Sequence, residues 1–235
     1  RPLQKVVFFL MLFFTMCSYD WIAITPGFPG YYYRGHTRGH ECTIMEAMAI
    51  ILLFARSPAD RRAPLFPPGS ALWLIYCVLA SLSIINSVNW DYTMMAIVKF
   101  VKVLVVFMAT FHFLRDEGDI QFWLKCAAWS LVASGLACLL DRYVHYTHQV
   151  HGWFEHQNSL GMWSYMLGLP LLAAALGNIS ARRTFLYLAG FVACSISVVL
   201  TLSRASIASL MAGVLIVVFL SLADQINPRR AFTIA

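Results

Sequence analysis

The dominant feature of the sequence is a series of eight apolar runs separated by short polar links. Most of the runs approach the roughly 20 residues that an α-helix needs to cross the hydrocarbon core of a bilayer. Strands of a membrane barrel would instead alternate apolar and polar residues over about ten positions. The pattern therefore predicts an all-α fold, a polytopic transmembrane helical bundle of about eight spans, with a single domain over residues 1–235.

Composition supports a membrane protein, because 60% of the 235 residues are hydrophobic and only 12% are charged. A single soluble core could not bury so much apolar surface. We attribute the net charge of +6 to lysines and arginines in the links that orient the spans, and we predict no nucleic-acid partner. Five of the six cysteines lie inside apolar runs, so the sequence predicts neither a disulfide framework nor a bound metal or other cofactor.

The boundaries of the apolar runs place the spans. They lie at about residues 6–24, 41–55, 71–88, 92–114, 120–140, 158–176, 184–202 and 205–223. A continuous helix over the last two runs would be about 60 Å long, twice the thickness of the hydrocarbon core, so a break is required. The polar cluster in the middle of that stretch contains Thr201, Ser203, Arg204 and Ser206, and we predict the reversal there, with Ser203 as the N-cap of the last helix.

Lysine and arginine are divided unevenly between alternate links. One set of links holds ten of them, namely Arg1, Lys5, Arg56, Arg61, Arg62, Arg115, Arg182, Arg183, Arg229 and Arg230. The other set holds four, namely Arg34, Arg38, Arg142 and Arg204. The positive-inside rule then predicts that both ends are cytoplasmic, so that Arg204 and residues 151–161 share the outer face of the membrane.

Arg204 is the strongest candidate for substrate binding. A cation in the first turn of a helix adds to the positive pole of the helix dipole and costs about 0.3–1 kcal/mol unless an anion joins it. Its guanidinium fork suits phosphate oxygens. Ser203 lies beside it, and Asn158 or Ser159 is predicted to cap the sixth span, so two helix N-termini would offer anion sites at the outer face. The alternative is that Arg204 is a topology anchor whose side chain reaches the interface.

Two further groups of polar residues lie near this face. His156 and Glu155 are candidates for the catalytic base and proton acceptor, and the alternative is a hydrogen-bonded interfacial loop. Three histidines recur every third residue and would lie roughly on one helix face; they are His145, His148 and His151. No carboxylate or cysteine is suitably spaced with them, so we predict no metal site.

Lys99 and Lys102 lie inside the fourth span, where a lysine costs about 2.5–3.5 kcal/mol at the bilayer centre. They should therefore face the bundle or a cavity. Glu46, at a comparable depth in the second span, is the predicted partner of Lys99. The pair would be structural, or else both lysines would bind substrate by extending the positive surface around Arg204.

Two motifs and the hydrophobic span between them resemble a known family. Residues 152–162 read Gly-Trp-Phe-Glu-His-Gln-Asn-Ser-Leu-Gly-Met, and residues 202–206 read Leu-Ser-Arg-Ala-Ser. Between them lie a span containing Pro170 and a basic link. This order resembles the O-antigen ligase and polymerase superfamily of bacterial membrane glycosyltransferases, and the resemblance is best over residues 150–225.

The resemblance implies transfer of a glycan from an undecaprenyl-pyrophosphate carrier to a polysaccharide or lipid acceptor at the periplasmic face of the bacterial inner membrane. It also implies that Arg204 contacts the pyrophosphate without a metal. The large periplasmic loop of that family, with a second arginine and a catalytic histidine, would follow where this chain ends. We therefore expect the chain to be the N-terminal part of a longer enzyme and inactive alone. The alternatives are a transporter or flippase for an anionic or lipid-linked substrate and a structural membrane subunit.

Overall fold

The computed structural model describes residues 1–16, 43–55, 66–86, 90–154, 156–177 and 180–225. This part of the chain is all-helical, which confirms the predicted all-α class. Its helices are α1 (Pro2–Phe14), α2 (Ile44–Phe54), α3 (Ser70–Ser81, extended by a 3-10 turn at Leu82–Asn86), α4 (Trp90–Phe113), α5 (Glu117–Tyr143), α6 (Gln157–Leu176), α7 (Ala181–Leu200) and α8 (Arg204–Gln225).

Four of these helices, α5 to α8, are long and apolar enough to cross a membrane, which is fewer than the eight predicted spans. The first three helices contain 13, 11 and 12 residues. At 1.5 Å per residue they extend for about 17–20 Å, which is less than the roughly 30 Å of the hydrocarbon core. The second half of the predicted first span lies outside the described residues.

The described residues form two compact units. The first contains α1 to α4 and the start of α5 up to Ile120, and the second contains the rest of α5 with α6 to α8. The single-domain organisation stays a prediction.

In the first unit, the start of α1 lies beside the end of α2 and the start of α5. Gln4 Nε2 donates a hydrogen bond to the carbonyl of Ala55 at 2.6 Å. The Arg1 guanidinium lies 3.0 Å from a carboxylate oxygen of Asp116 and 3.1 Å from one of Asp119. The hydrogen bonds that Asp116 accepts from Arg1 and from the backbone N–H of Asp119 hold its pKa below the ordinary value of 3.8.

In the second unit, small residues allow the helices to approach closely. A Cβ at Gly190 of α7 would lie 2.9 Å from the Cα of Ala128 on α5. A Cβ at Gly168 of α6 would lie 2.9 Å from the Cβ of Cys194 on α7, and the Cys194 thiol donates to the carbonyl of Ser164 at 3.1 Å. Because glycine carries no side chain, the backbones pack at distances that any larger residue would prevent.

Candidate functional site

The reversal between α7 and α8 lies where the sequence predicts it. α7 ends at Leu200 and α8 begins at Arg204, and Leu202 between them adopts the left-handed conformation with φ of 55°. The backbone N–H of Ser206 donates to Ser203 Oγ at 3.3 Å. Ser203 is therefore the N-cap of α8, as predicted.

The hydroxyls of this turn are mutually bonded and buried. Thr201 Oγ1 donates to the carbonyl of Val198 at 2.7 Å and accepts the N–H of Ser203 at 3.1 Å. Ser206 Oγ donates to Ser203 Oγ at 3.1 Å. Ser203 and Ser206 are only 6% and 4% exposed, so the turn is held by a fixed set of polar contacts. A ligand would meet the first turn of α8 as a pre-organised surface.

Arg204 is the first residue of α8 and is exposed. Within the part of the chain that the structure describes, it makes no hydrogen bond or ion pair. Its charge adds to the positive pole of the helix dipole, which favours an anion at this position. The predicted placement of Arg204 in the first turn is confirmed.

The N-cap of α6 is His156, not Asn158 or Ser159, so that prediction was wrong. His156 has an extended backbone (φ −140°, ψ 139°), and its Nδ1 accepts the N–H of Asn158 at 3.1 Å. Asn and Ser are the usual capping residues. Here α6 starts one residue earlier than predicted, at Gln157, so the residue before it supplies the cap and leaves Asn158 and Ser159 exposed.

The two candidate segments lie at the same end of the second unit. The N–H of Val150 donates to the carbonyl of Leu200 at 3.3 Å, which connects the loop before α6 to the end of α7. One turn into α6, Gly161 packs against Ser206, and a Cβ at Gly161 would lie 2.6 Å from the Cβ of Ser206. The N-terminal turns of α6 and α8 therefore lie side by side, with Arg204 at the same end as Asn158.

The loop after α5 is braced by Arg142 and Asp141. Arg142 Nη1 donates to the carbonyls of Thr147 and His148 at 3.2 and 2.9 Å. The N–H of Thr147 donates to the carbonyl of Asp141 at 3.0 Å, and His145 Nδ1 lies 3.1 Å from Asp141 Oδ1. Arg142 contributed to the sequence-based prediction only through the charge count, although Asp141 and His145 have the i, i+4 spacing of interacting side chains.

The remaining histidines of this region have different surroundings. His148 is exposed, whereas Nδ1 of His151 is buried and has no hydrogen-bond partner. Among the described residues, no three His, Cys, Asp or Glu side chains are grouped so that they could hold a metal ion. Glu155, a predicted catalytic candidate, lies outside the described residues.

The lysines of α4 belong to the first unit, and their predicted pairing was wrong. Glu46 Oε1 lies 3.6 Å from the Nζ of Lys102, whereas Lys99 is exposed. Residues three apart on a helix differ in direction by about 60°, so only one of the two lysines faces α2 directly. Glu46 also forms a capping box with Thr43 at the start of α2. That the lysines extend the positive surface around Arg204 stays a prediction.

No family model, curated protein or solved structure matches the chain.

Proposed function

We propose that this chain holds the carrier-binding site of a glycosyltransferase of the bacterial inner membrane, similar to the O-antigen ligases and polymerases. Its substrate would be a glycan linked to undecaprenyl pyrophosphate, held at the periplasmic face and transferred to a hydroxyl of a polysaccharide or lipid acceptor. The observation that carries the proposal is the exposed Arg204, which makes no hydrogen bond or ion pair among the described residues and lies in the first turn of α8 beside the start of α6.

Stabilisation of a leaving pyrophosphate is the chemistry that this arrangement fits. During transfer, the bond between the sugar C1 and the phosphate oxygen breaks, and the acceptor oxygen bonds to C1. Negative charge then grows on the pyrophosphate. An unpaired guanidinium and two helix N-termini stabilise such charge, and they are more effective near a membrane, where water is scarce. Arg204 would stabilise the leaving group in this way.

The hydrogen bonding of His156 argues against its predicted role as the base. Its Nδ1 accepts the N–H of Asn158, so a neutral ring carries its proton on Nε2. In that tautomer Nε2 donates a hydrogen bond and does not take a proton from the acceptor hydroxyl. In this proposal His156 therefore acts as the N-cap of α6, and the base is supplied by another group.

The test measures binding of undecaprenyl pyrophosphate to the full chain in lipid nanodiscs. Because hydrogen bonds to charged groups contribute about 1.5–3 kcal/mol, Arg204→Ala should weaken binding roughly 10- to 100-fold. Arg204→Lys keeps the charge but loses the fork of donors, so it should recover only part of the affinity. The matched control is Arg182→Ala, which removes an exposed arginine from the first turn of α7 at the opposite end of the second unit. Unchanged binding in both Arg204 variants would exclude the proposed pyrophosphate contact.

The alternative proposal is a transporter or flippase for an anionic or lipid-linked substrate. It is favoured by the ion pair between Lys102 and Glu46, because paired charges within apolar helices often line a substrate path. Translocation of a fluorescent undecaprenyl-pyrophosphate analogue across proteoliposomes would distinguish the two. Transport that is lost in Lys102→Met at an unchanged level of folded protein, but kept in Arg204→Ala, would favour the transporter.

A further inference from the structure

Tyr146, in the loop after α5, combines an unfavourable backbone conformation with an almost fully exposed ring. Its φ is 55° and it is 85% exposed. The left-handed region is unfavourable for residues with a bulky side chain and is occupied mainly by Gly, Asn and Asp. Among the described non-glycine residues, only Leu202 shares this conformation. The fold therefore maintains an unfavourable conformation at a residue that contributes little to packing.

The surrounding loop fixes the backbone that presents this ring. Residues on both sides of Tyr146 are bonded to the end of α5: His145 N–H donates to the carbonyl of Leu140 at 3.1 Å, and Thr147 N–H donates to the carbonyl of Asp141 at 3.0 Å. Arg142 holds the carbonyl of Thr147 as well. A loop whose backbone is already fixed loses little backbone entropy when one of its side chains binds a ligand.

The loop is close to the candidate carrier site. Tyr146 precedes Val150 by four residues, a separation of at most about 14 Å along the chain, and Val150 is bonded to Leu200 at the reversal before Arg204. A pyrophosphate at Arg204 would carry its saccharide away from the membrane. That saccharide would leave from the same end of the second unit that carries this loop.

We infer that Tyr146 is a stacking residue for the saccharide part of the lipid-linked substrate. This inference rests on the proposed function. Pyranose rings have an apolar face of C–H groups that packs on aromatic rings, and tyrosine offers a large, rigid contact surface with a hydroxyl at its edge. Asp141, His145 and His148 lie within five residues of Tyr146 and supply hydrogen-bonding groups for sugar hydroxyls.

An anchor in the membrane interface is the competing role for an exposed tyrosine. That role is already available to Tyr143, which is 67% exposed and does not have a positive φ. An interfacial anchor needs an amphipathic ring but no particular backbone conformation. The left-handed backbone of Tyr146 therefore favours recognition of a specific ligand.

The experiment compares two probes bound to the full chain in nanodiscs, bare undecaprenyl pyrophosphate and the same carrier bearing a trisaccharide of N-acetylglucosamine. Tyr146→Asn removes the ring and suits the left-handed backbone. We expect it to weaken binding of the loaded carrier about 3- to 10-fold while binding of the bare carrier is unchanged. Its thermal midpoint should stay level or rise by about 2–4 °C, because the unfavourable conformation is relieved. Tyr146→Phe should keep the preference for the loaded carrier.

Tyr143→Asn is the matched control for anchoring: any effect should be the same for both probes, so the preference for the loaded carrier should be unchanged. The inference is overturned if Tyr146→Asn retains the full preference for the loaded carrier. It is also overturned if Tyr146→Asn lowers the thermal midpoint and weakens both probes equally, as loss of an anchor would. If the wild-type chain binds neither probe, the proposed function fails and this inference fails with it. Weak binding of both probes in Arg204→Ala, with no effect of Tyr146→Asn, would overturn the stacking role alone.

Discussion

The Nζ of Lys102 lies 3.6 Å from Oε1 of Glu46, which joins α4 to the start of α2. The lysine side chain is 21% exposed and the carboxylate 10%, so both charges are largely withdrawn from solvent. Glu46 also accepts the backbone N–H of Thr43 at 2.6 Å. A single carboxylate therefore both caps α2 and compensates a lysine inside an apolar helix.

Replacing one member of the ion pair between Lys102 and Glu46 should destabilise the protein more than replacing both. Lys102→Met leaves Glu46 charged and shielded from water, and we expect it to lower the free energy of unfolding by about 3 kcal/mol. The double variant Lys102→Met with Glu46→Gln should recover much of that loss. Thermal unfolding in detergent of the single and double variants measures the coupling.

Lys99→Met is the control for this pair, because Lys99 is exposed on the same helix and pairs with no acidic group among the described residues. We expect its free energy of unfolding to differ from that of the wild type by no more than about 0.5 kcal/mol. A loss of stability equal to that of Lys102→Met would contradict the pairing of Lys102 with Glu46. If Lys99→Met leaves both protein level and carrier binding unchanged, Lys99 has neither a structural nor a substrate-binding role.

Gly161→Ala should force α6 and α8 apart. The added methyl would lie 2.6 Å from the Cβ of Ser206, and overpacking of this kind costs about 1–3 kcal/mol. Since the separation also moves Arg204 relative to the start of α6, carrier binding should weaken. Thermal unfolding and carrier titration of the same preparation measure the two effects.

Two variants test whether the contact between residue 161 and Ser206 causes the loss of stability and of carrier binding. In Gly177→Ala the new methyl would lie 3.4 Å from the carbonyl oxygen of Ala174, its nearest neighbour among the described residues, so little change is expected. Replacing Ser206 by glycine in the Gly161→Ala background should restore part of the stability, because it removes the atoms that the methyl meets. Absence of any coupling between the two positions would show that the helices separate for another reason.

His156→Ala should loosen the first turn of α6. Loss of an N-cap costs about 0.5–2 kcal/mol, whereas His156→Asn keeps an acceptor for the N–H of Asn158. Hydrogen exchange of the amides at residues 158–160 should accelerate in the alanine variant and stay near wild type in the asparagine variant. Equal protection of these amides from exchange in both variants would mean that the His156 side chain does not cap α6.

Stability at acidic pH should depend on Asp116. Its pKa is lowered, so its ion pair with Arg1 stabilises the fold above pH 3.8 and loses that effect as the pH falls through the lower folded value. Asp116→Asn should reduce the thermal midpoint at neutral pH. Below about pH 4, the midpoint of this variant should fall less steeply with decreasing pH than that of the wild type. The effect should be small, because the pair is exposed. Parallel pH profiles for the two proteins would contradict this assignment.

Much of the helical framework follows from the sequence, because the length of an apolar run is a local property. Predicted and observed boundaries agree within a few residues for most helices. Length alone required a break between the last two apolar runs, and the polar residues in that stretch located it at residues 201–203. The cap at Ser203 and the position of Arg204 in the first turn of α8 followed from that break. These features depend on neighbours in the chain and on the thickness of a bilayer.

Tertiary structure decided which side chains meet. Whether Lys99 or Lys102 faces Glu46 depends on the rotation and register of α4 against α2, which hydrophobic periodicity in a mostly apolar helix does not fix. The cap by His156 depended on a shift of one residue in the start of α6. The contact between Gly161 and Ser206 required two helices to be placed side by side. Sequence thus determined where the helices and their polar ends lie, and packing determined which of those polar groups form the site.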